Sequence, residues 1–143
     1  MKKNKKYNLF LDDIRVPYTN DTKKYDVSFV SAYAYTNYEP FKTEKWKIVR
    51  NYNDFVDYVT ENGLPERVAF DHDLADVHYS TQRNINYDDF DEKTGYDAAK
   101  WLCEYCQENN LKFPEYIVIS WNNTGKKNII SYIENYKKHV ENV

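Results

Sequence analysis

The chain has 143 residues and a formal net charge of −3, with 30% charged and 41% hydrophobic residues, three glycines and four prolines. That length supports one self-sufficient core, and the composition excludes collagen-like, low-complexity and fully disordered chains. Two cysteines are too few for a disulfide framework, no secretory pattern opens the sequence, and no apolar run approaches the roughly 20 residues that span a bilayer, so a cytoplasmic protein without membrane association is expected.

In chain order, the first feature is a basic arm of Lys2, Lys3, Lys5 and Lys6. The overall charge balance carries no duplex-DNA signature, and such an arm reads as solvated. Tyr7–Leu11 is a dense apolar run of strand length. Residues 17–45 stand where a first crossover helix belongs but lack helical spacing, and Asp26–Tyr35 alternates as a strand or hairpin would. They read as an insertion, and the insertion offers a place for a protein partner.

Trp46–Val49 is the second strand run. Asn53 is placed to cap a helix bearing Phe55, Val56 and Val59, which ends at Gly63 with Pro65 beyond it. Arg67–Phe70 is the third strand, and residues 76–93 form an acidic stretch without period, read as a surface loop. Thr94 and Asp97 make a capping box at the head of a helix carrying Ala98, Leu102, Tyr105 and Cys106, ending near Asn109-Asn110. Tyr116–Ser120 is the fourth strand. From about Gly125 the residues Ile129, Ile130, Ile133, Tyr136 and Val140 recur at helical spacing to the chain end.

This alternation implies an α/β fold: a four-stranded parallel sheet with right-handed crossovers, order 2-1-3-4, with helices on both faces as a three-layer Rossmannoid. The whole chain, 1–143, reads as one domain. Cys103 and Cys106 have CxxC spacing, but they sit late in a helix with Cys106 on its apolar stripe, which reads as core packing.

The acids fall at strand ends. Asp12 and Asp13 follow the first strand, and Asp71, His72 and Asp73 follow the third; Ser120 ends the fourth, with Asn122 two residues on. Open parallel sheets bind ligands beyond their carboxyl ends, at the switch in strand order. With order 2-1-3-4 that switch brings Asp12, Asp13 and Asp71 into one crevice. Such a set of hard oxygen ligands suits Mg²⁺ or Mn²⁺ shared with a phosphate. Each acid alone would serve equally as a turn former or cap.

The segments Leu9-Phe10-Leu11-Asp12-Asp13-Ile14-Arg15-Val16-Pro17, Trp46-Lys47-Ile48-Val49-Arg50-Asn51, Phe70-Asp71-His72-Asp73-Leu74, Thr94-Gly95-Tyr96-Asp97 and Ser120-Trp121-Asn122 with Gly125 and Asn128-Ile129 together resemble the cyclic-phosphate processing receiver-like domain. That resemblance implies a fold similar to response-regulator receivers and an activity on cyclic-phosphate ends or nucleotides. It implies that Asp12 and Asp13 bind metal, that Asp71 stands at the phosphoacceptor position, and that Ser120 supplies the hydroxyl ending the fourth strand. No fifth strand follows Ser120 and no lysine matches the one that completes a receiver's phosphorylation site, which argues against a phosphorelay role. Asp71-x-Asp73 also resembles the haloacid-dehalogenase motif, whose usual place is the first strand rather than the third.

The site is therefore expected to use Asp71 and His72 catalytically, with Asp12, Asp13 and Asp71 around the metal. His72 is a side chain suited to proton exchange near neutral pH, with a turn residue facing away from the crevice as its bland alternative. Arg15, Asp73, Ser120, Asn122, Gly125 and Asn128 are candidates for binding phosphate or substrate, Ser120 and Asn122 equally serving as a helix cap. The expected partner is a phosphate-containing small molecule or an RNA end. The expected function is metal-dependent phosphoesterase-like processing of cyclic phosphates; the alternative is a non-catalytic receiver-like module that binds metal or a phosphorylated ligand without turnover.

Overall fold

The computed structural model describes residues 6–13, 38–74, 93–120 and 122–141. Strands β1 (Asn8–Leu11), β2 (Lys47–Val49), β3 (Arg67–Phe70) and β4 (Glu115–Val118) form one parallel sheet in the order β2-β1-β3-β4. Leu11 pairs with Val49 on one side and with Phe70 on the other, and Phe70 pairs with Val118. The helices are α1 (Pro40–Thr43), α2 (Tyr52–Asn62), α3 (Gly95–Glu108) and α4 (Asn123–Glu141). The α/β class and strand order are those expected. The acidic segment 76–92, the alternating run Asp26–Tyr35, Arg15 and most of the lysine arm lie outside the described residues.

The central strands are buried on both faces, and alternation along them sorts two cores. Leu9, Leu11, Val68 and Phe70 enter the larger one with Phe55 and Val59 of α2, Leu102 and Cys106 of α3, and Ile129 and Ile133 of α4. The three long helices therefore share one face of the sheet. Phe10, Ala69 and Ile119 face the other way and join Phe41 of α1, with Tyr38, Trp46, Ile48 and Ile117 packed around them. Among the described residues, residues 38–46 cover this second face, so the last part of the stretch read as an insertion is a working part of the fold.

Local contacts hold that cover in place. The Trp46 indole N–H donates to the Pro40 carbonyl at 2.8 Å, and the Tyr38 hydroxyl donates to the Glu115 carboxylate at the start of β4. Phe41 meets the Phe10 ring at 5.5 Å and the Trp46 ring at 5.0 Å.

Three boundaries differ from the sequence reading. The cap of α2 is Asn51, not Asn53: Asn51 keeps an extended backbone (φ −150°, ψ 172°), and its side-chain oxygen accepts the Asp54 N–H at 2.8 Å. Asn53 is already inside the first turn of the helix, past the N-cap position. β4 ends at Val118, although the Ile119 N–H still donates to the Phe70 carbonyl at 2.8 Å. α4 begins at Asn123, two residues ahead of Gly125. The Thr94 and Asp97 capping box is present as read. Cys103 and Cys106 are free thiols in the core, and burial pushes both up to about 12, so they pack rather than react at neutral pH. Among the described residues, no helix is long and apolar enough to cross a membrane.

Phe41 is fully buried, and truncating such a side chain removes both its transfer energy and its packing. Phe41→Ala is expected to cost about 3–5 kcal/mol in urea unfolding. A loss below about 1 kcal/mol would show that residues 38–46 do not belong to the core.

Candidate functional site

The β1 ladder runs one residue past each strand end. The Asp12 N–H donates to the Val49 carbonyl at 3.2 Å, and the Asp71 N–H donates to the Leu11 carbonyl at 2.9 Å. Because Leu11 lies opposite Phe70, Asp12 and Asp71 are the next neighbours across the sheet. Asp12 is fully buried, Asp71 is 6% exposed and Asp13 is half-buried. One carboxylate oxygen from each of the three lies within 4.8 Å of the others.

Three ionised carboxylates at that spacing repel by about 3 kcal/mol per pair at an effective dielectric near 20. Burial of two of them raises the cost of leaving that charge uncompensated. The donor set consists of carboxylate oxygens alone, the chemistry of a hard divalent cation, so these residues fit Mg²⁺ or Mn²⁺.

A second network lies alongside. His72 donates through Nδ1 to Asp73 Oδ1 at 2.7 Å, and Asp73 also accepts from Asn122 Nδ2 at 3.3 Å. Asn122 caps α4: its Oδ1 accepts the Gly125 N–H at 2.9 Å, while its own N–H donates to Ser120 Oγ at 3.0 Å. Asp73 thus turns toward His72 and the head of α4, which ties the β3 end to the β4 end.

Two glycines permit this closeness. A Cβ on Gly125 would stand 2.4 Å from His72 Cγ, so the imidazole packs directly on the backbone of α4. A Cβ on Gly95 would stand 1.8 Å from the Asp71 carbonyl oxygen, and the Gly95 N–H donates to the His72 carbonyl at 2.8 Å. The first turn of α3 is therefore seated on the chain that carries Asp71.

The structure brings Asp12, Asp13 and Asp71 into one cluster, and His72, Asp73, Ser120, Asn122 and Gly125 into the adjoining network. Asn128 stands apart, exposed on α4 one turn beyond Gly125. Arg15 lies outside the described residues. The sequence reading missed Arg50, whose Nη1 donates to the Asp12 main-chain carbonyl at 3.0 Å. Arg50 directly follows β2 as Asp12 follows β1, so the strand-end rule that singled out the acids, applied to β2, finds it.

Gly95→Ala is expected to destabilise the protein by about 1–3 kcal/mol in urea unfolding, because either β3 or α3 must move to admit the methyl group. A neutral or stabilising effect would contradict the close seating of α3 on Asp71.

A family model described as the cyclic-phosphate processing receiver domain matches residues 7–135. No curated protein and no solved structure matches the chain.

Proposed function

The chain belongs to the cyclic-phosphate processing receiver domain family, and from that premise we propose that it is a divalent-metal-dependent phosphoesterase opening a cyclic phosphodiester in a nucleotide or at an RNA 2′,3′ end. The observation that carries this reading is the meeting of the Asp12, Asp13 and Asp71 carboxylates within 4.8 Å at the carboxyl ends of β1 and β3.

Ring opening adds the oxygen of one water to phosphorus, breaks one ester P–O bond and gives a proton to the departing oxygen, leaving a phosphomonoester. Asp12, Asp13 and Asp71 would hold Mg²⁺ or Mn²⁺, which when bound supplies charge neutralisation for the non-bridging phosphate oxygens. His72 is the candidate for the proton transfer. Asp73 occupies its Nδ1 and sets the ring's orientation, which leaves Nε2 as the nitrogen that exchanges a proton with the departing oxygen. The head of α4, capped by Asn122, presents first-turn N–H groups and the positive end of a helix dipole to an anionic substrate.

The test is incubation with Mg²⁺ or Mn²⁺ and a panel of 2′,3′- and 3′,5′-cyclic nucleotides plus an RNA oligonucleotide ending in a 2′,3′-cyclic phosphate. Turnover by the wild type that falls about a hundredfold or more in Asp71→Asn is expected. Metal binding with no turnover across the panel would favour the non-catalytic module, and no metal binding would sink both readings.

A further inference from the structure

We propose that Asn122 is a positioning residue, a role that rests on reading His72 as the group exchanging a proton with the departing oxygen. Asn122 anchors Asp73, and Asp73 in turn holds the His72 imidazole with the proton on Nδ1 and Nε2 left for the substrate. The 2.7 Å contact between His72 and Asp73 does not fix the ring alone. The Asp73 side chain is 56% exposed, and a pair formed by an exposed carboxylate gains little, because ordering the side chains offsets most of the attraction. A carboxylate placed there needs a second anchor to keep one rotamer. Asn122 provides it: its Nδ2 lies 3.3 Å from Asp73 Oδ1 and 3.5 Å from Oδ2, within reach of both oxygens.

The amide is itself held, so its donor end has one direction. Oδ1 accepts the Gly125 N–H at 2.9 Å, which leaves Nδ2 facing Asp73. The Asn122 main-chain N–H donates to Ser120 Oγ at 3.0 Å, and its carbonyl accepts the Lys126 N–H at 2.8 Å. Backbone and side chain are therefore fixed together. Gly125 completes the arrangement, because a Cβ there would stand 2.4 Å from His72 Cγ; the residue whose N–H orients the amide also backs the imidazole. The His72 ring thus meets the α4 backbone and Asp73 at once, and a neutral imidazole that donates from Nδ1 keeps its lone pair at Nε2.

Serine and threonine cap helices much as asparagine does but carry no amide. Asn122→Ser therefore keeps the bond to Gly125 and removes the anchor of Asp73; Asn122→Thr repeats the change and serves if the serine variant does not fold. At about pH 9, where an ordinary imidazole is neutral, the nitrogen-15 shifts of His72 report its tautomer. The wild type should hold the Nδ1–H form, and the ratio of that form to Nε2–H should fall about threefold to tenfold in Asn122→Ser, the worth of one hydrogen bond. On whichever cyclic phosphate of the panel turns over fastest with Mn²⁺, kcat should fall about tenfold while KM stays within about twofold. The urea midpoint should stay that of the wild type.

An unchanged tautomer ratio means that Asn122 only caps α4, and it overturns the proposal. A wild type in the Nε2–H form, a shifted ratio with unchanged kcat, or a rise in KM at constant kcat overturns it as well, the last by making Asn122 a substrate-binding residue. So does a urea midpoint that falls in both variants along with the other changes, which would assign them all to the lost cap. A wild type that turns over no member of the panel overturns the phosphoesterase reading instead; the tautomer ratio needs no substrate and still decides whether Asn122 fixes the ring.

Discussion

The parallel register between β1 and β3 sets Leu11 opposite Phe70, so the chain leaves both strands at the same height with an aspartate next on each. Everything at the site follows from that pairing. The Asp71 N–H completes the ladder on the Leu11 carbonyl, which holds the Asp71 backbone while its carboxylate joins those of Asp12 and Asp13. α3 can start where it does only because Gly95 lets its first turn rest on the Asp71 carbonyl, and α4 only because Gly125 leaves room for the His72 ring.

Magnitudes make compensation of this charge a condition of stability. At about 3 kcal/mol for each of three carboxylate pairs, the mutual repulsion is comparable with the roughly 5–15 kcal/mol by which whole domains are stable. Among the described residues, Arg50 brings a positive charge beside the Asp12 backbone, and Asp73, a fourth acid, bonds His72 and Asn122. Under the proposed function, a divalent cation would supply further compensation. Core packing must in turn resist distortion by the acids, which explains why the strands that bear them, β1 and β3, are buried on both faces between Phe10, Ala69 and Phe41 on one side and Leu11, Phe70 and Leu102 on the other.

Much of this architecture was legible from residue type and spacing. Dense apolar runs marked the four strands, acids directly after two of them marked the crevice, and Thr94 with Asp97 marked the start of α3, because each of these signals is local. What was not legible depended on contacts distant in sequence. Phe41 sits in a stretch without period, and only its packing on Phe10 and Trp46 shows that it belongs to the core. Strict alternation would have kept Asp73 on the side of Asp71, but the chain bends after β3 and Asp73 meets Asn122, 49 residues away. Asn51 and Asn53 are equivalent as cap residues by type, and backbone conformation alone separates them. Arg50 looked like the tail of a strand motif because the hydrogen bond that defines it crosses from β2 to β1.

The central claim is that Asp12, Asp13 and Asp71 form a cation-compensated cluster, and urea unfolding at constant ionic strength across a Mg²⁺ series tests it most directly. A bound ion stabilises the folded state by about 2.7 kcal/mol at a hundredfold excess over its Kd. Wild-type stability should therefore climb with the logarithm of Mg²⁺ concentration, and Asp71→Asn, with less repulsion and fewer ligands, should be the more stable protein without Mg²⁺ and respond little to its addition. A wild type indifferent to Mg²⁺, or an Asp71→Asn variant that gains as much from it, would contradict the account.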